Sequence, residues 1–377
     1  MNTQSHSVRI GAPFALALAL AVASNAWAAN DNSYTQRNLI SDGFVAAEQP
    51  PDANLVNPWG VAFNPFGFQW VADNHTGLST LYDGNGVPQS LVVQIPTPDA
   101  DTGGSPTGIV FNGSNSATSF AVTGTVSGPS HFLFSTEDGV IAGWPGGTQA
   151  IVAVDNSAAD AVYKGLAISA GGTGQLLYAT DFHNGRVDVF DNTFTPVVTP
   201  GAFTDPQIPA GYAPFGIQAI GGDIYVTYAK QTPGEDDETA GPGLGFVDVY
   251  DPNGVLLGRV ASRGKLNAPW GIAMAPAGFG KFSNTLLIGN FGDGTINAYD
   301  PNSFKLLGQL RGADGKTIQI DGLWGIAFGN GLANQPVNTL FFAAGPDDEE
   351  HGLYGRLDPP APSVHGGGGD DDQGDDD

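Results

Sequence analysis

The sequence predicts an all-β fold: a six-bladed β-propeller of four-stranded antiparallel blades, its ring closed by an N-terminal outer strand. Composition is the first reason, because 55 Gly and 27 Pro in 377 residues disfavour helices and supply turns throughout. The second is a pattern that recurs six times, as Pro58-Trp59-Gly60-Val61, Pro106-Thr107-Gly108-Ile109, Lys164-Gly165-Leu166, Pro214-Phe215-Gly216-Ile217, Pro269-Trp270-Gly271-Ile272 and Leu323-Trp324-Gly325-Ile326. Its Gly positions lie roughly 50 residues apart, the length of one blade of four short strands.

Each part of the repeat has a physical reason. Pro can begin a strand because its missing donor falls before the ladder, and Gly lets innermost strands converge on a narrow axis. The second runs, 68–72, 175–180, 223–228, 285–289 and 339–343, are almost continuously apolar, as strands buried on both faces between neighbouring blades should be. Third runs such as Arg186-Val187-Asp188-Val189-Phe190 alternate, as nearer the rim. Turns such as Asp83-Gly84-Asn85-Gly86 and Asp251-Pro252-Asn253-Gly254 lead into outer strands, among them 255–260 and 305–310. The last repeat lacks an outer strand, since Asp358-Pro359-Pro360 stops its ladder. Arg37-Asn38-Leu39-Ile40, ahead of the first repeat, has no partner. Pairing the two ends closes the ring and removes two open edges.

The ends and the charge set the expected address. Residues 1–28 read as a signal peptide, with Arg9, an apolar core from Ala12 to Ala23 and the small-residue site Ala26-Trp27-Ala28. Residues 29–37 are a lead, 38–358 the propeller, and 359–377 a Gly/Asp-rich acidic tail expected to be disordered. The expected location is exported, periplasmic or extracellular. No later run approaches the ~20 apolar residues of a membrane span, so membrane insertion is not expected. Zero cysteines leave stability to apolar burial. Of the 38 acidic residues behind the net charge of −25, 14 sit in three runs, 235–238, 347–350 and 370–377. They read as solvated, solubilising surface that repels nucleic acid.

The segments Asn57-Pro58-Trp59-Gly60, Phe134-Ser135-Thr136-Glu137-Asp138-Gly139, Tyr163-Lys164-Gly165-Leu166-Ala167, Asp181-Phe182-His183-Asn184-Gly185-Arg186, Gly289-Asn290-Phe291-Gly292-Asp293-Gly294 and Asp321-Gly322-Leu323-Trp324-Gly325 carry a resemblance. Across residues 38–357 the chain resembles an uncharacterised family of exported bacterial proteins, often associated with a PEP-CTERM sorting signal. The repeat is also similar to NHL repeats, in Pro269–Ile272 and in Asp181, Asn184 and Arg186. The resemblance implies the propeller and no established chemistry, since propellers of this type include lyases, lactonases and binding modules. An acidic tail stands where the sorting helix would be, so surface anchoring is not carried over.

In such blades the lead-in to the inner strand and the turn between second and third strands open on one face of the channel. Candidate ligand-binding residues there are Asn57, Asn74, Asp181, Asn184, Asn290, Asp293 and Asp321. His75 and His183, with Asp73 and Asp181, are candidate ligands for a divalent metal, zinc or calcium; polar turns bonding their own backbone are the simpler account. Catalytic candidates are His75, His183, Lys164 and Lys230. The two lysines stand out among so few cations, as partners of an anionic ligand or of Asp181 and Asp293. Glu137 reads as a hairpin turn before a general acid. Trp59, Trp270 and Trp324 read as packing between blades before a sugar platform. No Gly-x-Ser-x-Gly or Walker pattern occurs. The leading expectation is a monomer binding a small molecule or extracellular polymer at the channel mouth. A metal-dependent hydrolase or lyase of lactone or ester type comes second, and an extracellular matrix or surface scaffold third.

Overall fold

The computed structural model describes residues 32–171 and 174–361; the expected signal peptide and all but the start of the expected tail lie outside them. Six antiparallel sheets follow one another around a ring. Their innermost strands are Pro58–Phe63, Pro106–Phe111, Tyr163–Gly171, Tyr212–Ile220, Pro269–Met274 and Leu323–Phe328. Blades 1, 2, 5 and 6 each have four strands in order from the axis outward, and blade 4 has the same four plus a short fifth, Glu238–Thr239, paired with its second strand. In blade 3 the ladder holds three, and the outer position is marked by the bridge of Pro196 to Phe190 and by Val197 N donating to Val189 O. The second strands are buried along most of their length, and from end to end in Gln69–Asp73, Leu286–Asn290 and Leu340–Ala344.

The ring closes as the sequence predicts. Thr35–Ser41 pairs antiparallel with Leu353–Asp358 and supplies blade 6 with its outer strand. Leu39 and Ile40 are fully buried there, so closure rests on apolar packing as well as on the ladder.

All six inner strands break register at the same place, between Pro58 and Val61, Pro106 and Ile109, Tyr163 and Gly165, Pro214 and Ile217, Pro269 and Ile272, and Leu323 and Ile326. Such a bulge takes residues off the ladder and re-aims their side chains. The residue before each repeat Gly therefore occupies one equivalent position per blade: Trp59, Thr107, Lys164, Phe215, Trp270 and Trp324.

The Gly itself faces the next blade. A Cβ on Gly60, Gly165, Gly216, Gly271 or Gly325 would stand 2.1 to 2.9 Å from the carbonyl oxygen of Thr107, Phe215, Trp270, Trp324 or Trp59, and one on Gly108 would stand 2.4 Å from Leu166 N. No side chain fits in that space. Gly216→Ala should therefore destabilise the protein by about 3 kcal/mol, as forced overpacking does. Gly67→Ala, whose Cβ would have only Asn64 Nδ2 nearby at 3.9 Å, should be close to neutral; urea unfolding of the two variants checks the contrast.

Candidate functional site at the channel axis

The equivalent positions before the glycines fill the axis. Trp59 stacks on Trp324 with ring centroids 3.6 Å apart, and Trp270 meets both edge-on at 6.2 and 5.7 Å. Phe182, Phe215 and Phe291 complete the plug. The three indoles, from blades 1, 5 and 6, thus pack on one another at the axis, in line with the expected packing between blades. They also form no open platform, since Trp59 and Trp324 are at most 2 % exposed. Trp324 Nε1 donates to Asn57 Oδ1 and Trp270 Nε1 to Lys164 O. Trp59 Nε1 is buried with no hydrogen-bond partner among the described residues.

Lys164 is the one charged member of this ring of positions, and it is 1 % exposed. Its Nζ lies 5.1 Å from the Trp59 ring centroid and 5.9 Å from that of Phe182, geometry suited to cation–π attraction. Nζ donates to Glu137 Oε1 at 2.6 Å and to Asp237 Oδ1 at 3.2 Å. Asn74 Nδ2 holds the other Glu137 oxygen at 2.8 Å, and Asn57 Nδ2 donates to Glu349 Oε1 at 3.3 Å.

Three glutamates therefore reach the centre from alternate blades. Glu137, Glu238 and Glu349 all follow second strands, of blades 2, 4 and 6. Burial works to lower the Lys164 pKa, but the charges of Glu137, Glu238 and Asp237 prevail and hold it above the ordinary lysine value. Burial pushes the Glu238 carboxyl up to about 7 against the pull of Lys164, and Asp237 and Glu137 add to the rise. Glu349 is likewise pushed up to about 7, by burial and then by Glu238. Carboxyls that interact this strongly titrate as a set.

The segment 232–240 covers the centre and forms part of it. Asp236 Oδ1 lies 2.6 Å from His183 Nδ1, Asp237 reaches Lys164, and Glu238 lies beneath. The hydrogen bond that His183 donates to Asp236 raises the His183 pKa. Two of the acidic runs expected to be plain solvated surface, 235–238 and 347–350, thus send side chains to one axial centre. The lysine prediction is corrected in part: Lys164 pairs with Glu137 and Asp237 rather than Asp181, and the Lys230 side chain makes no ion pair among the described residues.

The other predicted residues divide plainly. Asn57 and Asn74 belong to the centre. Asp181 is buried and accepts from Val162 N and Asn184 and pairs with Arg186, a structural turn. Asn290 and Asp293 bond Lys265 O and Thr295 in another, and Asp321 accepts from Asp347 N. The metal set is not brought together. Asp73 is buried in blade 1 on Thr80, burial raising its pKa well above the ordinary value. His75 is exposed and His183 is taken by Asp236. Among the described residues, no group of three His, Cys, Asp or Glu side chains is placed to hold a metal ion.

Open space is found elsewhere. A cavity of about 340 Å³ sits at the opposite end of the channel, lined by the far halves of all six inner strands, with Val61, Ile109, Ile168, Gln218, Ile272 and Ile326 among its residues. The predicted mouth is thus plugged by indoles and covered by 232–240. No helix among the described residues is long and apolar enough to cross a membrane.

No protein-family model matches the sequence. Among solved structures the chain is similar to the soluble aldose sugar dehydrogenase of Escherichia coli, with a TM-score of 0.53, 13% identity, and coverage of 87% of this chain and 100% of that one. It is similar also to a glucose dehydrogenase, with a TM-score of 0.51, 15% identity, and coverage of 86% and 100%. At such identity these likenesses show the propeller fold alone. Sequence comparison goes further. The uncharacterized protein R648 of Acanthamoeba polyphaga mimivirus is 34% identical over 326 residues, 83% of this chain and 76% of that protein. The chain belongs to its family. The uncharacterized protein L690 of the same virus, 32% identical over 337 residues, covers 85% of this chain and 84% of its own length. These relatives are viral, and they lend no support to the bacterial PEP-CTERM association that the resemblance implied.

Replacing one carboxyl of the centre gives a signed pH test. Glu238 has its folded pKa raised, so the folded state holds its proton longer than the unfolded chain, and stability is lost as pH rises from the ordinary glutamate range through about 7. Glu238→Gln should remove that loss. Urea titrations should find the variant near wild type at pH 4.5 and more stable by about 2 kcal/mol at pH 8.

Proposed function

We propose that this propeller is a small-molecule-binding protein whose site is the axial centre around Lys164, with 232–240 as its cover. One observation carries the reading: a fully buried ammonium stands at the axis on an aromatic floor, and one of its two carboxylate partners, Asp237, is 72% exposed. A buried charge is costly unless well paired, and a pair of which one half faces water is weakly held. Perturbed, converging charges in the interior of a channel are a functional-site signature. Export to a periplasmic or extracellular space is part of the proposal, resting on residues 1–28. The metal-dependent reading is set aside because its ligands do not converge. A proton-transfer reading, in which Glu238 and Glu349 exchange a proton with the bound molecule, draws on carboxyls raised to about 7.

A thermal-shift panel of organic acids, amines and sugars tests the proposal. A member present at a hundredfold excess over its Kd should raise the Tm of the wild type by about 4 °C, and the charge-free pair Glu137→Gln with Lys164→Met should abolish the shift while remaining folded by circular dichroism. Shifts that survive in the double variant would place the ligand elsewhere and overturn the assignment.

A further inference from the structure

We infer that the ligand of the axial centre is a carboxylate, and that Asp237 stands in for it when the site is empty; this rests on the binding role proposed above. Two donors at the centre are available to an incoming acceptor. Lys164 Nζ spends one hydrogen bond on Glu137, which Asn74 fixes from behind, and another on Asp237. The first partner is 27% exposed and the second 72%. Trp59 Nε1, on the ring that Nζ overlies, is buried and unpartnered, and a buried donor without an acceptor costs free energy that a ligand oxygen would recover.

The charge balance favours the same class. When the turn 232–237 lifts, Asp236 and Asp237 leave together, and the centre keeps Lys164, Glu137, Glu238, which stays in the ladder opposite Gln231, Glu349 and the amides of Asn57 and Asn74. Lys164 and Glu137 cancel. Glu238 and Glu349 are half-buried, and their carboxyls are pushed up to about 7 chiefly by burial; in the range where they keep their protons they too are donors. An ammonium-bearing ligand would have to compete with Lys164 itself. A monocarboxylate replaces the Asp237 carboxylate group for group, and an apolar body behind it would lie against Trp59, Trp270 and Phe182.

The geometry makes Asp237 an internal competitor, so its removal should tighten binding. Phenylacetate is the probe, followed by isothermal titration calorimetry at pH 6.5 with the full chain. Asp237→Ala, a change at an exposed position, should bind phenylacetate about fivefold more tightly than wild type, Asp237→Asn should fall between them, and the neutral phenylacetamide should bind neither. Lys164→Met should not bind phenylacetate. Equal affinity of phenylacetate for wild type and Asp237→Ala would overturn the stand-in role while leaving the axial site intact. Phenylacetamide binding as well as phenylacetate would overturn the carboxylate class. Absence of phenylacetate binding to every variant would overturn this inference too, whereas the axial reading stands or falls on its own panel.

Discussion

Six inner strands come so close at the axis that their backbones leave no room for a Cβ at Gly60, Gly108, Gly165, Gly216, Gly271 or Gly325. The rest of the molecule depends on that approach. It sets the shared register break, and the break turns one side chain per blade out of the ladder. Where those side chains are aromatic they fill the channel; where one is lysine, a cation is carried into the interior. Fold and site are thus two results of one contact, with Gly325 against Trp59 O joining the last blade to the first and Thr35–Ser41 fixing that joint from the rim.

A buried lysine obliges its surroundings to supply negative charge. Blade 2 does so with Glu137, blade 4 with Asp237 and Glu238, blade 6 with Glu349, each from the connection after a second strand. The supply exceeds the demand of a single ammonium, and the surplus appears as carboxyls pushed up to about 7. A structural ion pair needs one partner; this centre has several, some of them on a covering segment.

The sequence made the architecture legible because the repeat is written in residues with few alternative uses. Pro and Gly at fixed offsets, continuous apolar second strands, and a last repeat without its outer strand lead to the ring and to its closure by 37–40. Blade 3 was less legible, because 195–199 has a turn and apolar residues but makes only a bridge there. The site was half legible. Asn57, Asn74 and Lys164 were named from their places in the repeat. Glu238 and Glu349 were missed because a run of acids looks the same whether it faces water or folds over a cation, although both runs follow second strands. Aligning Lys164 with Trp59, Trp270 and Trp324 would have shown it as axial. His75 and His183 misled because equivalent positions on a ring need not converge.

The sharing of one axial centre by charges from three blades is open to carboxyl carbon-13 NMR of glutamate-labelled protein. That sharing predicts two glutamate resonances with midpoints near 7, both moved by replacement of Lys164. All glutamates titrating near their ordinary value of 4.5 would contradict it.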